Sequence, residues 1–353
     1  MRAPLEYSFI YTKIRGLKSK LLTVGDYERL LSASSLSEIG RILDTTSFAE
    51  LDIETLLIKD PLDLKEIELL LNQHYIQVTD RLIRFLPSYA RNFAESAYRR
   101  KAFYDSLKTI IRGVDLQIDK KTVAKYLTTP SEEDYNTLMM LLDSVDVPEL
   151  INLLFDSRAQ QVLRSHQSEY ERVKSTLVLE QALTKDYYNT LLKEKRNLKQ
   201  LDIDGVIRFL NIEIDLLNLT TIIRGKNQNI DEATLRSLII PIQYRLGDIE
   251  KYLRANLEEI YSLLRNTIYR ELVQMLPTAF ETDKARFEII DNAINQFMLN
   301  QAFGLFRKVP FNLGVLFGFL YLKSIEIRNL RAIIVGKHDE VEANLIRRFL
   351  VIF

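Results

Sequence analysis

The chain has 353 residues, 47% of them hydrophobic, and its 48 basic side chains balance 48 acidic ones. That length can bury a sizeable core and suits about two or three domains. The zero net charge argues against a dedicated nucleic-acid binder and is compatible with life inside a complex. The absence of cysteine excludes disulfides, thiolate nucleophiles and cysteine-based metal sites, and makes an intracellular protein the simpler expectation.

Taken in order, Met1 to Leu22 is amphipathic and charged, without the apolar run of a signal peptide. Only 11 Gly and 8 Pro punctuate the chain, and two-residue alternation is nearly absent. Apolar residues recur instead at three- and four-residue steps, as in Leu64, Ile67, Leu71 and Tyr75, and in Leu179, Leu183 and Tyr187. The pattern predicts an all-α protein. Short helices are expected at 24–33 and 36–45, capped by Asp26 and by the Ser35–Glu38 box. A long helix is expected from 63 to 86, stopping at Pro87, and another from 92 to 112, ending at Gly113. The charge run Lys193–Lys199 reads as a solvated helix face or connection, against a competing reading as a docking patch for an acidic partner. Leu313–Leu322 is an unbroken apolar run of ten residues. A membrane-spanning helix needs ~20, so this is expected to be a buried core helix. A last helix is expected over 343–353.

Three patterns recur in one register. The first is Ser106–Gly113, Asn218–Gly225 and Asn329–Gly336, whose glycines lie 112 and 111 residues apart. The second runs through Glu38, Glu149 and Glu259, at steps of 111 and 110. The third runs through Glu68, Glu180 and Asp291, at steps of 112 and 111. Such periods exceed the ~20–50 residues of solenoid repeats, so the expectation is three similar lobes, residues 1–127, 128–239 and 240–353. At each repeated helix end, Arg112 or Arg224 opposes the dipole, and Gly113, Gly225 and Gly336 are expected at the left-handed position after the last turn. Asp119, Asp231 and Glu342 follow as caps for the next helix.

No catalytic, cofactor-binding or metal residue is assigned. Ile223–Lys226 and Val335–Lys337 resemble phosphate loops faintly. They lack the G-x-x-x-x-G-K-[ST] spacing and follow helices where a phosphate loop follows a strand. His74, His166 and His338 share no repeat position and form no zinc motif. Glu68, Glu180 and Asp291 invite a dicarboxylate reading, yet their triplication favours polar pairing with a neighbouring helix in the same repeat. Asp215 and Glu326, three residues before Asn218 and Asn329, are expected to be architectural.

Tyr7–Arg15 with Leu21–Leu22, Asp26–Tyr27 and Leu30–Leu31, and Lys323–Ile334 preceded by Pro310–Phe311, resemble the C-subunit family of archaeal and bacterial A/V-type rotary ATPases, related to the eukaryotic d-type subunits. The resemblance covers essentially the whole chain. Its Glu-x-x-Asn-Leu-Arg signature is Glu326 to Arg331. The first repeat departs with Phe103 and Ser106, and the third with Val335 in place of arginine. The resemblance implies a funnel of three helical lobes about a pseudo-three-fold axis, on the cytoplasmic side of a membrane proteolipid ring. It implies that the concavity receives the central shaft (D/F-type subunits), that the protein carries torque, and that it holds no active site or cofactor. A helical scaffold of an unrelated complex is the alternative; a helical hydrolase or lyase with a cleft between lobes is the enzyme rival.

Overall fold

The structure is a computed structural model that describes residues 3–59, 62–128, 131–155, 157–276, 285–308 and 310–352. Every regular element among these residues is helical. The first stretch holds α1 (Ala3–Lys18), α2 (Val24–Ser32), α3 (Leu36–Leu43), α4 (Ile53–Leu57) and α5 (Leu64–Ile83). Then come α6 (Ser88–Asp115), α7 (Lys120–Ala124), α8 (Glu132–Leu141), α9 (Val147–Leu153), α10 (Arg158–Val173) and α11 (Leu177–Glu194). The remainder holds α12 (Gln200–Asp202), a π turn at Ile203–Ile207, α13 (Arg208–Asn227), α14 (Glu232–Leu238), α15 (Ile249–Arg254), α16 (Leu257–Arg265), α17 (Arg270–Met275), α18 (Ala285–Lys308), α19 (Leu313–His338) and α20 (Ala343–Phe349). The final expected helix thus stops at Phe349, with Leu350 extended; Phe353 lies outside the described residues.

Two compact units result. Residues 87–199 form one, and residues 1–86 with 200–353 form the other. In the first, α6 packs along α11 and crosses α7, α8 and α9. In the second, α13 packs against α14, α15 and α18, while α19 packs against α3, α5 and α20. The last of these groupings draws one core from both ends of the sequence. Leu22, Tyr27, Leu30, Ile39, Leu43 and Phe48 pack with Ile327, Leu330, Ile333, Ile334 and Ile346.

Local signals place the helix starts. Ser35, Asp146 and Asn256, spaced 111 and 110 apart, each accept the backbone N–H three residues on, which satisfies a donor the helix leaves orphaned. The cap of α2 is Thr23, not Asp26. Asp26 is the acidic member of the capping box and accepts a hydrogen bond from the Thr23 N–H. Asp119 and Asp231 cap α7 and α14, whereas Glu342 makes no side-chain cap.

The repeated glycines are not left-handed. Helices α6, α13 and α19 run two residues past Gly113, Gly225 and Gly336. The left-handed residues are Gln117, Asn229 and Glu340, with φ of 52°, 56° and 55°. In each case the N–H of the following residue, Ile118, Ile230 or Val341, reaches back to the glycine carbonyl at 2.8, 2.9 and 2.8 Å. This is a Schellman ending in which the glycine sits in the last helical turn. It is glycine for another reason. A Cβ there would lie 2.6 Å from Val123, 2.1 Å from Leu235 and 2.7 Å from Ile346. Each contacted residue is ten positions further on, in the short helix that crosses the turn.

Candidate functional site

The polar side chains buried in these crossings form sets that recur along the chain. Asn218 accepts from the Ile240 N–H at 2.8 Å and donates to the Ile240 carbonyl at 3.0 Å. Asn329 does the same with Val351, at 3.1 and 2.8 Å. Ser106 accepts from the Thr128 N–H at 3.0 Å and donates to its carbonyl at 2.9 Å. Each clamp reaches 22 residues ahead and pairs both backbone groups of a residue outside any helix, as a missing strand partner would. Asn329 is fully buried, so losing the clamp would strand two polar backbone groups.

One turn earlier stand Asp215 and Glu326. Asp215 accepts from the N–H groups of Arg245 and Leu246 at 2.7 and 3.0 Å and from the Tyr269 hydroxyl at 2.7 Å. Glu326 accepts from the Leu22 N–H at 2.6 Å and from the Lys323 ammonium at 2.7 Å. Both acids tie the long helix to a loop entering the short helices. Burial pushes both carboxyls above the ordinary carboxylate range, against the pull of these hydrogen bonds and, at Glu326, of Lys323. Their backbone hydrogen bonds go to groups of this chain that frame the start of the short helices.

A third position changes chemistry from copy to copy. Phe48 packs its ring 5.3 Å from His74. At steps of 110 and 112, Arg158 binds Asp186 through Nε at 2.9 Å. At further steps of 111 and 111, Tyr269 packs 5.5 Å from Phe297. Each version recruits a polar group from nearby. Tyr104 donates to Asp186 at 2.8 Å, Tyr269 donates to Asp215, and Lys323 lies over the Phe48 ring at 4.2 Å. Sequence reasoning missed this junction because no residue type repeats there; the register alone marks it.

The acids of the third motif do pair, but with the preceding repeat. Arg112 lies 3.7 Å from Glu180, and Arg224 lies 2.6 Å from Asp291. Arg331 lies 3.4 Å from Glu68, so the third repeat serves the first. The expectation of pairing within one repeat fails because each long final helix also packs against a helix of another repeat, α6 on α11, α13 on α18 and α19 on α5. The third repeat has Val335 at the arginine position, and Arg331, one turn earlier on the same face, supplies the cation instead.

The lysines of the faint phosphate-loop matches point at helix ends. Lys337 donates to the Ala33 carbonyl at 2.7 Å and Lys226 to the Leu253 carbonyl at 2.6 Å. Both carbonyls end short helices, where a cation opposes the dipole. The three histidines stay apart. His74 is held down to about 4 by burial and by the charges of Lys323 and Arg81, His166 bonds the Val162 carbonyl, and His338 meets Asp339. Among the described residues no group of three or more His, Asp and Glu side chains is placed to hold a metal ion.

Another buried acid went unnoticed in the sequence. Asp202 accepts from the Tyr7 hydroxyl at 2.8 Å and from the Leu313 N–H at 2.7 Å, pinning α1 and α19 beside the π turn. A Cβ on Gly205 would lie 2.5 Å from Asn312, so the turn and the start of α19 touch closely. A cavity of about 180 Å³ opens there, lined by Leu201, Asp204, Arg208, Phe209, Gln301 and Asn312 among others.

The arrangement holds helices and the extended segments between them in register. That repeated architecture has known relatives. The model of the ATP synthase (C/AC39) subunit family matches residues 10–349. The chain belongs to this family. The A-type ATP synthase C subunit of Methanocaldococcus jannaschii is 24% identical over 98% of this chain and 86% of its own length. That of Methanosarcina acetivorans is 25% identical over 98% and 93%, and that of Thermococcus kodakarensis 22% over 98% and 90%. The ATP synthase (C/AC39) subunits are non-catalytic members of a multi-subunit complex. Among the described residues of this chain no helix is long and apolar enough to cross a membrane.

Proposed function

We propose that this chain is a rotor subunit of an A/V-type ATPase. It joins central shaft subunits of the D/F type, seated in a concave face, to the membrane proteolipid ring on the opposite face. In this reading residues 1–127, 128–239 and 240–353 are three lobes of a funnel about a pseudo-three-fold axis, and the protein sits peripherally at the cytoplasmic face. The observation that carries the proposal is the family match along residues 10–349 of a chain whose described regular elements are all helical. The buried clamps support it. A torque carrier must not shear, and close-packed interiors crossed by satisfied polar clamps transmit strain.

The test is reconstitution with and without the protein. ATP hydrolysis by the soluble motor is expected to persist without it, while ATP-driven ion transport is lost because the shaft turns without gripping the ring. Ion transport at the normal rate in its absence would refute the coupling role. Hydrolysis by the purified chain would point to an enzyme instead.

A further inference from the structure

We infer that the outer face of α1, with the end of α5 beside it, docks on the surface of an anionic phospholipid bilayer. The inference deepens the membrane-proximal reading above and rests on it. The first 25 residues carry five cations (Arg2, Lys13, Arg15, Lys18, Lys20) and one acid, Glu6, in a chain whose net charge is zero. Tyr7, Ile10 and Ile14 turn inward and are buried, which leaves Leu5 and Phe9 on the outside at 83% and 60% exposure. Phe85, just past the end of α5, extends the patch with its ring 4.8 Å from Phe9. Lys13 lies over both rings, at 5.6 and 4.3 Å. On the helical wheel Lys13 flanks the apolar strip on one side and Arg15 on the other, and Lys20 follows in the exposed turn just past the end of α1.

Among the described residues none of Lys13, Arg15, Lys18, Lys20 and Arg307 has an ion-pair partner. Lys18 rests over Phe303 and Phe306 at 4.8 and 5.5 Å and feels the charges of Arg15 and Arg307. Exposed phenyl and leucyl groups between basic side chains with long apolar stems suit the headgroup boundary of a bilayer, where rings enter and ammonium groups meet phosphate. The charge selects an anionic surface. The preponderance of lysine, a compact point charge without a fixed fork, suits fluid headgroups better than one fixed protein carboxylate.

The experiment is co-sedimentation of the full chain with phosphatidylcholine vesicles and with vesicles in which about a third of the lipid is phosphatidylglycerol. Each basic residue near such a surface is worth about fivefold in partition. The wild type should therefore favour the anionic vesicles by more than about tenfold and lose the preference in high salt. Lys13→Glu with Lys20→Glu should abolish it, and Phe9→Ser should weaken binding to the anionic vesicles. The altered positions are at the surface, and circular dichroism melts check that the variants fold. No binding, equal binding to both vesicles, or variants that bind like wild type would overturn the inference. So would variants that bind vesicles normally but fail to join a detergent-solubilised proteolipid ring, since the face would then belong to a protein partner. A chain that ignores vesicles yet restores ion transport sinks the lipid contact alone and leaves the rotor role standing.

Discussion

Replacing Glu326 by glutamine tests whether the core drawn from both ends of the sequence is held by a buried ion pair. The Glu326 and Lys323 side chains are 0% and 4% exposed. Glutamine is nearly isosteric and its carbonyl still accepts the Leu22 N–H, so packing and one hydrogen bond survive. What changes is Lys323, whose ammonium is left in the core with an amide N–H₂ beside it and the Phe48 ring as its remaining attraction. Breaking one side of a buried pair costs about 3–5 kcal/mol; the ring face recovers about 1–2 of these, so Glu326→Gln should cost about 1–4 kcal/mol. Lys323→Met removes the charge but leaves a carboxylate that protonation can neutralise, and should cost less. The double variant has no buried charge and should lie within about 1–2 kcal/mol of wild type, because an apolar replacement of a buried pair is often nearly neutral. Urea unfolding followed by circular dichroism measures all three, and the double-mutant cycle isolates the coupling. A loss under about 1 kcal/mol for Glu326→Gln, or strict additivity in the cycle, would refute the claim that the pair is buried and mutually dependent.

The pH dependence of Lys323→Met follows from the same geometry. With the ammonium gone, burial holds the Glu326 carboxyl higher in the folded state than in the unfolded chain, so the folded state binds more protons between the two values. Stability then falls as pH rises through the folded value, and the deficit of Lys323→Met against wild type should shrink on acidification; a pH-independent deficit counts against it. Gly225→Ala should destabilise by about 1–3 kcal/mol despite alanine's better helix propensity, because its Cβ strikes Leu235, while Gly304→Ala, with nothing within 4 Å, should stabilise by up to about 1 kcal/mol. Thermal melts of the two variants should move in opposite directions. Glu340→Gly should raise stability by up to about 1 kcal/mol in the same melts by relieving a left-handed residue. Asn329→Ala should cost about 2 kcal/mol or more in urea unfolding by stranding both backbone groups of Val351, and Ser106→Ala, at a less buried clamp, should cost less.

Much of the helical content was written locally. The three- and four-residue apolar steps placed α2, α3 and α5 within a few residues, and Ser35 marked a helix start because a cap acts on its own next turn. The repeat register also came from the chain alone, and it is what makes the Phe48–His74, Arg158–Asp186 and Tyr269–Phe297 junction recognisable as one position. Family membership was legible for the same reason, since ordered motifs survive where overall identity is low.

The tertiary structure decided which partner each buried group meets. Glu68 pairs with Lys65 three residues back on its own helix, but it carries no sign that a second cation, Arg331, reaches it from α19, because that pairing depends on which helix crosses and not on sequence spacing. Gly113, Gly225 and Gly336 looked like helix terminators because the left-handed bend usually requires glycine. Here the bend falls four residues later, on Gln117, Asn229 and Glu340, and the glycines are demanded by side chains of the short helices crossing above them. A sequence displays the periodicity a helix needs to bury one face. Whether a given position on that face must be small, charged or amide is set by what the rest of the chain brings to within a few ångströms of it.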